Sequence, residues 1–164
     1  YEIPLPLVGS EMCIRDRSIL IAIDQGTTST RTVAFDKDLN IIHSEQKEYP
    51  LIYPNDGWVE IAPEELMSSV YATIDPVIEA CSDISAIGIT NQRETTLVWD
   101  ADSGEPIYNA IVWQDRRTAE QCVQLKKAGH EEAIKNATGL LLDPYFSSTK
   151  ISVSYTHLTL PTKA

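Results

Sequence analysis

At 164 residues, with 43% apolar and 23% charged residues, the chain has the length and composition of one globular domain with a core of its own. A net charge of −11 excludes a nucleic-acid-binding face, which needs clustered lysine and arginine. No apolar run reaches the length of a membrane span, and the acid- and proline-bearing first residues do not read as a secretory signal.

Cys13, Cys81 and Cys122 form no Cys-x-x-Cys pair and no metal-type cluster with the three histidines, so they read as thiols in a reducing cytoplasm. Residues 1–17 hold neither a strand nor a helix period, and residues 153–164 are set apart with them. Both ends resemble translated sequencing-adapter read-through or frayed tails and are set aside. Residues 18–152 carry the reading.

In chain order, Ile19–Ile23 is a continuous apolar run, as in a strand covered on both faces, and it ends in Asp24. Gly26 and the hydroxyls of residues 27–30 form a turn. Residues 31–36 and 41–47 read as two further strands around the turn at 36–40, giving an antiparallel meander. Residues 49–63, with three prolines and Gly57, read as a loop. A helix starts at Pro63, with Leu66, Val70, Ile74, Val77, Ile78 and Cys81 as its buried stripe and Pro76 as a kink or break. Residues 86–90 read as a short buried strand. Residues 95–99 and 110–112 read as strands separated by the turn at 102–104. Helices are expected over 116–127, stopped by Gly129, and over 131–137. This order predicts an α/β domain resembling the ribonuclease-H-like half of actin-type ATPases, not the alternating order of a Rossmann fold.

Two segments carry chemistry. Asp24-Gln25-Gly26-Thr27-Thr28-Ser29-Thr30-Arg31 lies at the tip of the first hairpin. Glycine permits close backbone approach to an oxyanion, successive amides and hydroxyls can cradle phosphate oxygens, and an aspartate there can hold Mg²⁺ through water. The same residues also suit a plain threonine-rich turn, and neither usual glycine-rich nucleotide signature is present. Asn91-Gln92-Arg93-Glu94-Thr95-Thr96 leaves a strand with a donor fork beside a carboxylate, which suits a polyol's hydroxyls but also an ordinary surface ion pair.

The hairpin resembles the phosphate-binding loop of the carbohydrate kinases related to glycerol kinase, and Ile89–Thr96 is similar to the corresponding segment of the glycerol kinase family, flanks included. The stretches 106–117, around Trp113, and 139–147, around Tyr145, resemble further segments of that family in the same order, as does the loop 53–60, which takes no catalytic role. The resemblance implies an N-terminal, partial kinase domain over 18–152. It implies ATP and Mg²⁺ as cofactors, with Thr27, Thr28, Ser29 and Arg31 on the nucleotide, Thr27 also facing the substrate, and Asp24 organising Mg²⁺. Glycerol would be held by Arg93, Glu94, Trp113 and Tyr145.

The activity implied is ATP-dependent phosphorylation of glycerol to sn-glycerol 3-phosphate by a cytoplasmic enzyme that forms homo-oligomers. The family's catalytic aspartate lies in a Gly-Asp-Gln segment that this sequence lacks, so no catalytic residue is assigned here, and the chain alone is expected to be inactive. A pentulose-type kinase of the same superfamily and a non-catalytic actin-like nucleotide-binding module are the competing readings. The first would differ at Arg93-Glu94-Thr95; the second would have no need of Arg93, Glu94, Trp113 and Tyr145 together.

Overall fold

The computed structural model describes residues 18–158. Strands β1 (Ile19–Gln25), β2 (Ser29–Phe35) and β3 (Ile41–Glu48) form the expected antiparallel meander. Helix α1 (Pro63–Ala80) then leads to β5 (Ile84–Asn91), which pairs parallel with β1, giving the sheet order β3-β2-β1-β5. A second, two-stranded sheet joins β4 (Glu60–Ile61) to β6 (Ala110–Ile111). Helices α2 (Ala119–Lys127), α3 (Glu131–Thr138) and α4 (Ser147–Leu158) follow.

The helix α1 begins where Pro63 at its first turn and Glu64 and Glu65 favour it. It runs through Pro76 without a break, and Thr73 and Val77 on either side are buried. Its buried face differs from the apolar stripe. Ser69 and Thr73 are inside, while Ile78 is 41% exposed. The reason is a hydroxyl ladder against β2: Thr30 and Ser69 are bonded at 2.6 Å, and Thr32 donates to Thr73 at 2.8 Å. Buried hydroxyls are tolerated when each finds a partner.

Two cores result. Ile19, Ile21, Ile23, Ala34 and Val77 pack between sheet and helix. Tyr49, Val59, Ile61, Leu66, Ala110 and Val112 pack around the small sheet, with Leu51, Leu97 and Trp113 against them. Helix α1 contributes to both, through Val77 and Leu66.

Several sequence expectations change. β1 alternates buried and exposed residues instead of being covered on both faces. β5 is exposed over nearly its whole length, with Ile89 at 75%, because it is the edge strand and α1 lies over β2 and β3. Residues 95–99 form no strand. Thr96 bridges Ile111 and Trp99 bridges Pro106 as isolated pairs, and Asp100 folds the chain between them by accepting from the Asp102 and Ser103 amides. The loop 49–63 hides the two residues of β4. Helix α2 starts at Ala119, after Asp115 turns the chain by accepting the Arg117 amide at 2.9 Å. Helix α4 was not expected at all, and it continues across residues 153–158, past the boundary drawn at 152. The expected tail 1–17, and residues 159–164 of the expected tail 153–164, lie outside the described residues.

Candidate functional site

The first wall of the site is the β1–β2 turn. The Gly26 amide donates to the Ser29 carbonyl at 2.9 Å, and a Cβ at Gly26 would sit 3.2 Å from that oxygen, so a side chain there would have to push the turn open by a few tenths of an ångström. Tyr49, just past β3, holds the turn from beneath. Its hydroxyl donates to the Gly26 carbonyl, and its amide donates to the Thr28 carbonyl at 3.1 Å. Burial, helped by the nearby Asp24 charge, pushes the Tyr49 hydroxyl up to about 12. Asp24 itself is exposed, and its carboxylate has no hydrogen-bond partner among the described residues. Thr28 is exposed at the tip; the Ser29 hydroxyl accepts from Gln46 at 3.2 Å. Arg31 lies along the sheet, its Nε donating to Ser44 at 3.3 Å.

The second wall comes from the segments after β5 and β6 and from the start of α4. Trp113 is its hinge. Its indole Nε1 donates to the Thr27 hydroxyl at 2.9 Å, joining the two walls directly. Its backbone amide donates to the Thr95 hydroxyl at 3.2 Å, and that hydroxyl in turn donates to Gln92 at 2.9 Å. The Tyr145 ring meets Trp113 edge-on, with centroids 5.8 Å apart, and packs at 5.1 Å on Phe146. The Tyr145 hydroxyl has no partner among the described residues.

Glu94 occupies left-handed backbone, φ 65°, which a non-glycine residue adopts only when its surroundings hold it there. Its Oε2 accepts the Ser147 amide at 2.8 Å and the Ser147 hydroxyl at 2.7 Å. The carboxylate therefore caps the N-terminus of α4, where free amides and the helix dipole favour negative charge. Oε1 makes no bond among the described residues. Arg93 is exposed and forms no ion pair with Glu94 or any other described residue, so the two are not the surface pair their adjacency allowed. The Nε2 of Gln92 is buried without an acceptor.

Behind this wall lies a buried charge cluster. Arg117 pairs with Glu60 at 2.7 Å and with Asp115 at 2.8 Å, all three side chains being 4% exposed or less. Asp115 also accepts the Val59 amide at 2.7 Å, Asn109 donates to Glu60 at 2.9 Å, and the guanidinium stacks 3.9 Å over Trp58. Burial opposes the Arg117 charge, but Asp115 and Glu60 outweigh it and hold the guanidinium above its ordinary value. The cluster ties the start of β4 to the turn that follows Trp113.

Thr27, Glu94, Trp113 and Tyr145 are thus brought into one locality, joined by side-chain contacts and by α4. Arg31 is turned toward β3, and Thr28, Ser29 and Arg93 stand at the rim. Sequence reasoning missed Tyr49, Ser147 and Lys150. Tyr49 closes a strand in a segment without periodicity. Ser147 and Lys150 sit on a helix whose serine- and threonine-rich start gives no amphipathic signal. No group of three or more metal-ligating side chains occurs among the described residues. A lone Asp24 suits a cation that keeps its waters and takes further oxygens from phosphates, as Mg²⁺ does, and not an all-protein cage.

Comparison with known proteins places this geometry. Residues 19–157 match the N-terminal domain of the FGGY family of carbohydrate kinases. The glycerol kinase of Pseudomonas entomophila is 51% identical over 140 residues, which is 83% of this chain and 28% of that protein. A Plasmodium falciparum glycerol kinase, crystallised with ADP, superposes with a TM-score of 0.81 at 35% identity, covering 86% of this chain and 29% of that one. A gluconate kinase from Lactobacillus acidophilus superposes almost as well, with a TM-score of 0.80 at 25% identity and the same coverage of each chain. The chain therefore spans under a third of the length of these relatives. It belongs to the FGGY family of carbohydrate kinases.

Proposed function

We propose that the chain supplies two walls of the substrate cleft of an ATP-dependent glycerol kinase, which forms sn-glycerol 3-phosphate. The observation that carries this reading is the Trp113–Thr27 hydrogen bond, which puts the phosphate turn and the Glu94–Tyr145 wall within one side chain of each other. In-line transfer requires that closeness between a terminal hydroxyl and the γ-phosphate. The fold does not separate glycerol from gluconate as acceptor, since both kinase structures superpose equally well. Sequence identity favours glycerol, at 35% to the glycerol kinase structure against 25% to the gluconate kinase structure.

In this reading Thr27, Thr28 and Ser29 donate to the nucleotide phosphates at the turn that Gly26 closes, and Arg31 adds positive charge from the flanking strand. Asp24 holds Mg²⁺ through water; when bound, the ion neutralises charge on the phosphates. Glu94 offers its unengaged Oε1 to glycerol hydroxyls, and Arg93 donates from the rim. The Trp113 face covers the carbon backbone, and the Tyr145 hydroxyl makes a further bond. The attacking hydroxyl forms the new P–O bond as the bond to ADP breaks, and its proton must pass to a base. Asp24 and Glu94 already have other roles, so we assign no base within residues 18–158, and the 164-residue chain alone is expected not to turn over. The resemblance to glycerol kinases is our ground for proposing a cytoplasmic, homo-oligomeric enzyme. No helix among the described residues is long and apolar enough to cross a membrane.

The test is titration of the ¹⁵N-labelled chain with glycerol and, separately, with gluconate and xylulose. Glycerol should shift the Trp113 indole and Glu94 amide signals, and the others should leave them in place. Shifts with gluconate or xylulose but none with glycerol would overturn the glycerol assignment.

A further inference from the structure

Lys150 is the largest fully buried side chain among the described residues, 1% exposed, and it belongs to none of the motifs that suggest a kinase. Its ammonium makes no ion pair among the described residues. It donates to two backbone carbonyls, that of Glu94 at 3.1 Å and that of Tyr145 at 2.5 Å. The ammonium also stands 6.0 Å from the centre of the Tyr145 ring. An ammonium buried without a carboxylate partner is costly, and a leucine or methionine of similar volume would fill the space without that cost. The charge therefore has a purpose other than packing.

We propose that Lys150 is a positioning residue of the polyol wall, fixing Glu94 and Tyr145 relative to one another through their carbonyl oxygens. This inference rests on the reading of that wall as a polyol site. Three features of Glu94 point to it. The backbone there is left-handed and needs external support. Helix α4 grips the residue twice, with Ser147 on the carboxylate and Lys150 on the carbonyl, one turn apart on the same helix. The carboxylate oxygen away from α4 is left unengaged. Tyr145 lies just ahead of the helix, separated from it by Phe146, so the same ammonium sets the ring that packs on Trp113.

The electrostatic surroundings fit a strong donor kept in place. Burial pulls the Lys150 amine below its ordinary value, while Glu94, Asp115 and Asp143 oppose that loss and favour the charged form, with Cys122 alongside. A cation with two carbonyl acceptors can hold two loops at a set spacing, whereas a neutral side chain leaves both carbonyls unpaired in the interior.

The test compares Lys150→Met and Lys150→Arg with the unaltered 164-residue chain by NMR, with and without glycerol. Without ligand, Lys150→Met should lower the order parameters of the Glu94 and Tyr145 amides and shift the Trp113 indole signal, while β1 and β2 signals stay in place. With glycerol, its affinity should fall about tenfold, the effect of losing one good hydrogen bond to a charged group. Lys150→Arg keeps donors but not their geometry, so its effects should lie between the other two. If Lys150→Met does not fold, Lys150→Arg decides: displaced Glu94 and Tyr145 signals with an unchanged hairpin support the proposal. Folded variants with unchanged Glu94 and Tyr145 signals overturn it. An unaltered chain that ignores glycerol overturns the polyol reading instead, and the ligand-free signals still judge the positioning.

Discussion

The two walls of the cleft are built by different means. The turn proposed to bind phosphate sits on a strand ladder: β1 and β2 pair residue for residue from Leu20–Phe35 to Gln25–Thr30, with the Tyr49 hydroxyl bracing the tip, and side chains such as Ser29 and Arg31 hang from paired backbone. The wall proposed to bind the polyol has almost no ladder. Its backbone is held by side chains, namely Arg117 between two carboxylates, Ser147 and Lys150 on Glu94, and Thr95 on Trp113. The difference teaches where each wall is vulnerable. A ladder tolerates the loss of a side chain, whereas a wall held by buried polar groups loses its geometry when one partner goes.

Two arginines offer the sharpest way to break that comparison. Arg117→Met leaves Glu60 and Asp115 buried without their cation and should cost about 3–5 kcal/mol in urea unfolding. Arg31→Met removes only a bond to Ser44 on the exposed side of the ladder and should change stability by less than about 0.5 kcal/mol. Comparable losses for both would erase the distinction between the walls.

Next in size is a pH effect beneath the turn. The Tyr49 hydroxyl is protonated up to about 12 in the folded chain but ionises near 10 when unfolded. A raised folded value means that the folded state holds the proton more tightly. The stabilisation is therefore fully present below pH 10 and is lost as pH rises from 10 toward 12, by about 2 kcal/mol at most. Urea midpoints of the unaltered chain and of Tyr49→Phe, measured from pH 9 to 12, isolate this share; parallel curves would contradict it.

Gly26→Ala tests the one place where the ladder wall is intolerant. The new methyl would press on the Ser29 carbonyl at 3.2 Å and should cost about 1–3 kcal/mol while opening the turn, seen as a shift of the Thr28 and Ser29 amides. A more modest loss is expected at the hydroxyl ladder. Thr32→Val removes one bond but leaves Thr73 bonded to the Ser69 carbonyl, so about 1 kcal/mol should be lost.

The same contrast explains what could be read from the sequence. The meander, α1 and the β1–β2 turn were legible because period-2 and helical spacing, Pro63 and Gly26 are local signals. The exposure of β5 was not, since a strand's apolar residues do not say whether another layer covers them. Without the family resemblance, Arg93 and Glu94 could be singled out only as an adjacent donor and acceptor. That Glu94 caps α4 while Arg93 stays at the rim depends on a helix more than fifty positions away along the chain. Lys150 left no trace in the sequence because its partners are backbone carbonyls, which no side-chain pattern reveals.

The central claim is that these two walls make a glycerol-phosphorylating cleft. The most direct measurement replaces the matched segment of the Pseudomonas entomophila glycerol kinase with residues 19–157 of this chain and follows phosphoryl transfer from ATP to glycerol, xylulose and gluconate. The graft is predicted to keep glycerol as its preferred acceptor, and Glu94→Ala within it to lower kcat/KM for glycerol by at least about tenfold. A folded graft that phosphorylates xylulose or gluconate but not glycerol, or one in which Glu94→Ala has no effect, would contradict the account.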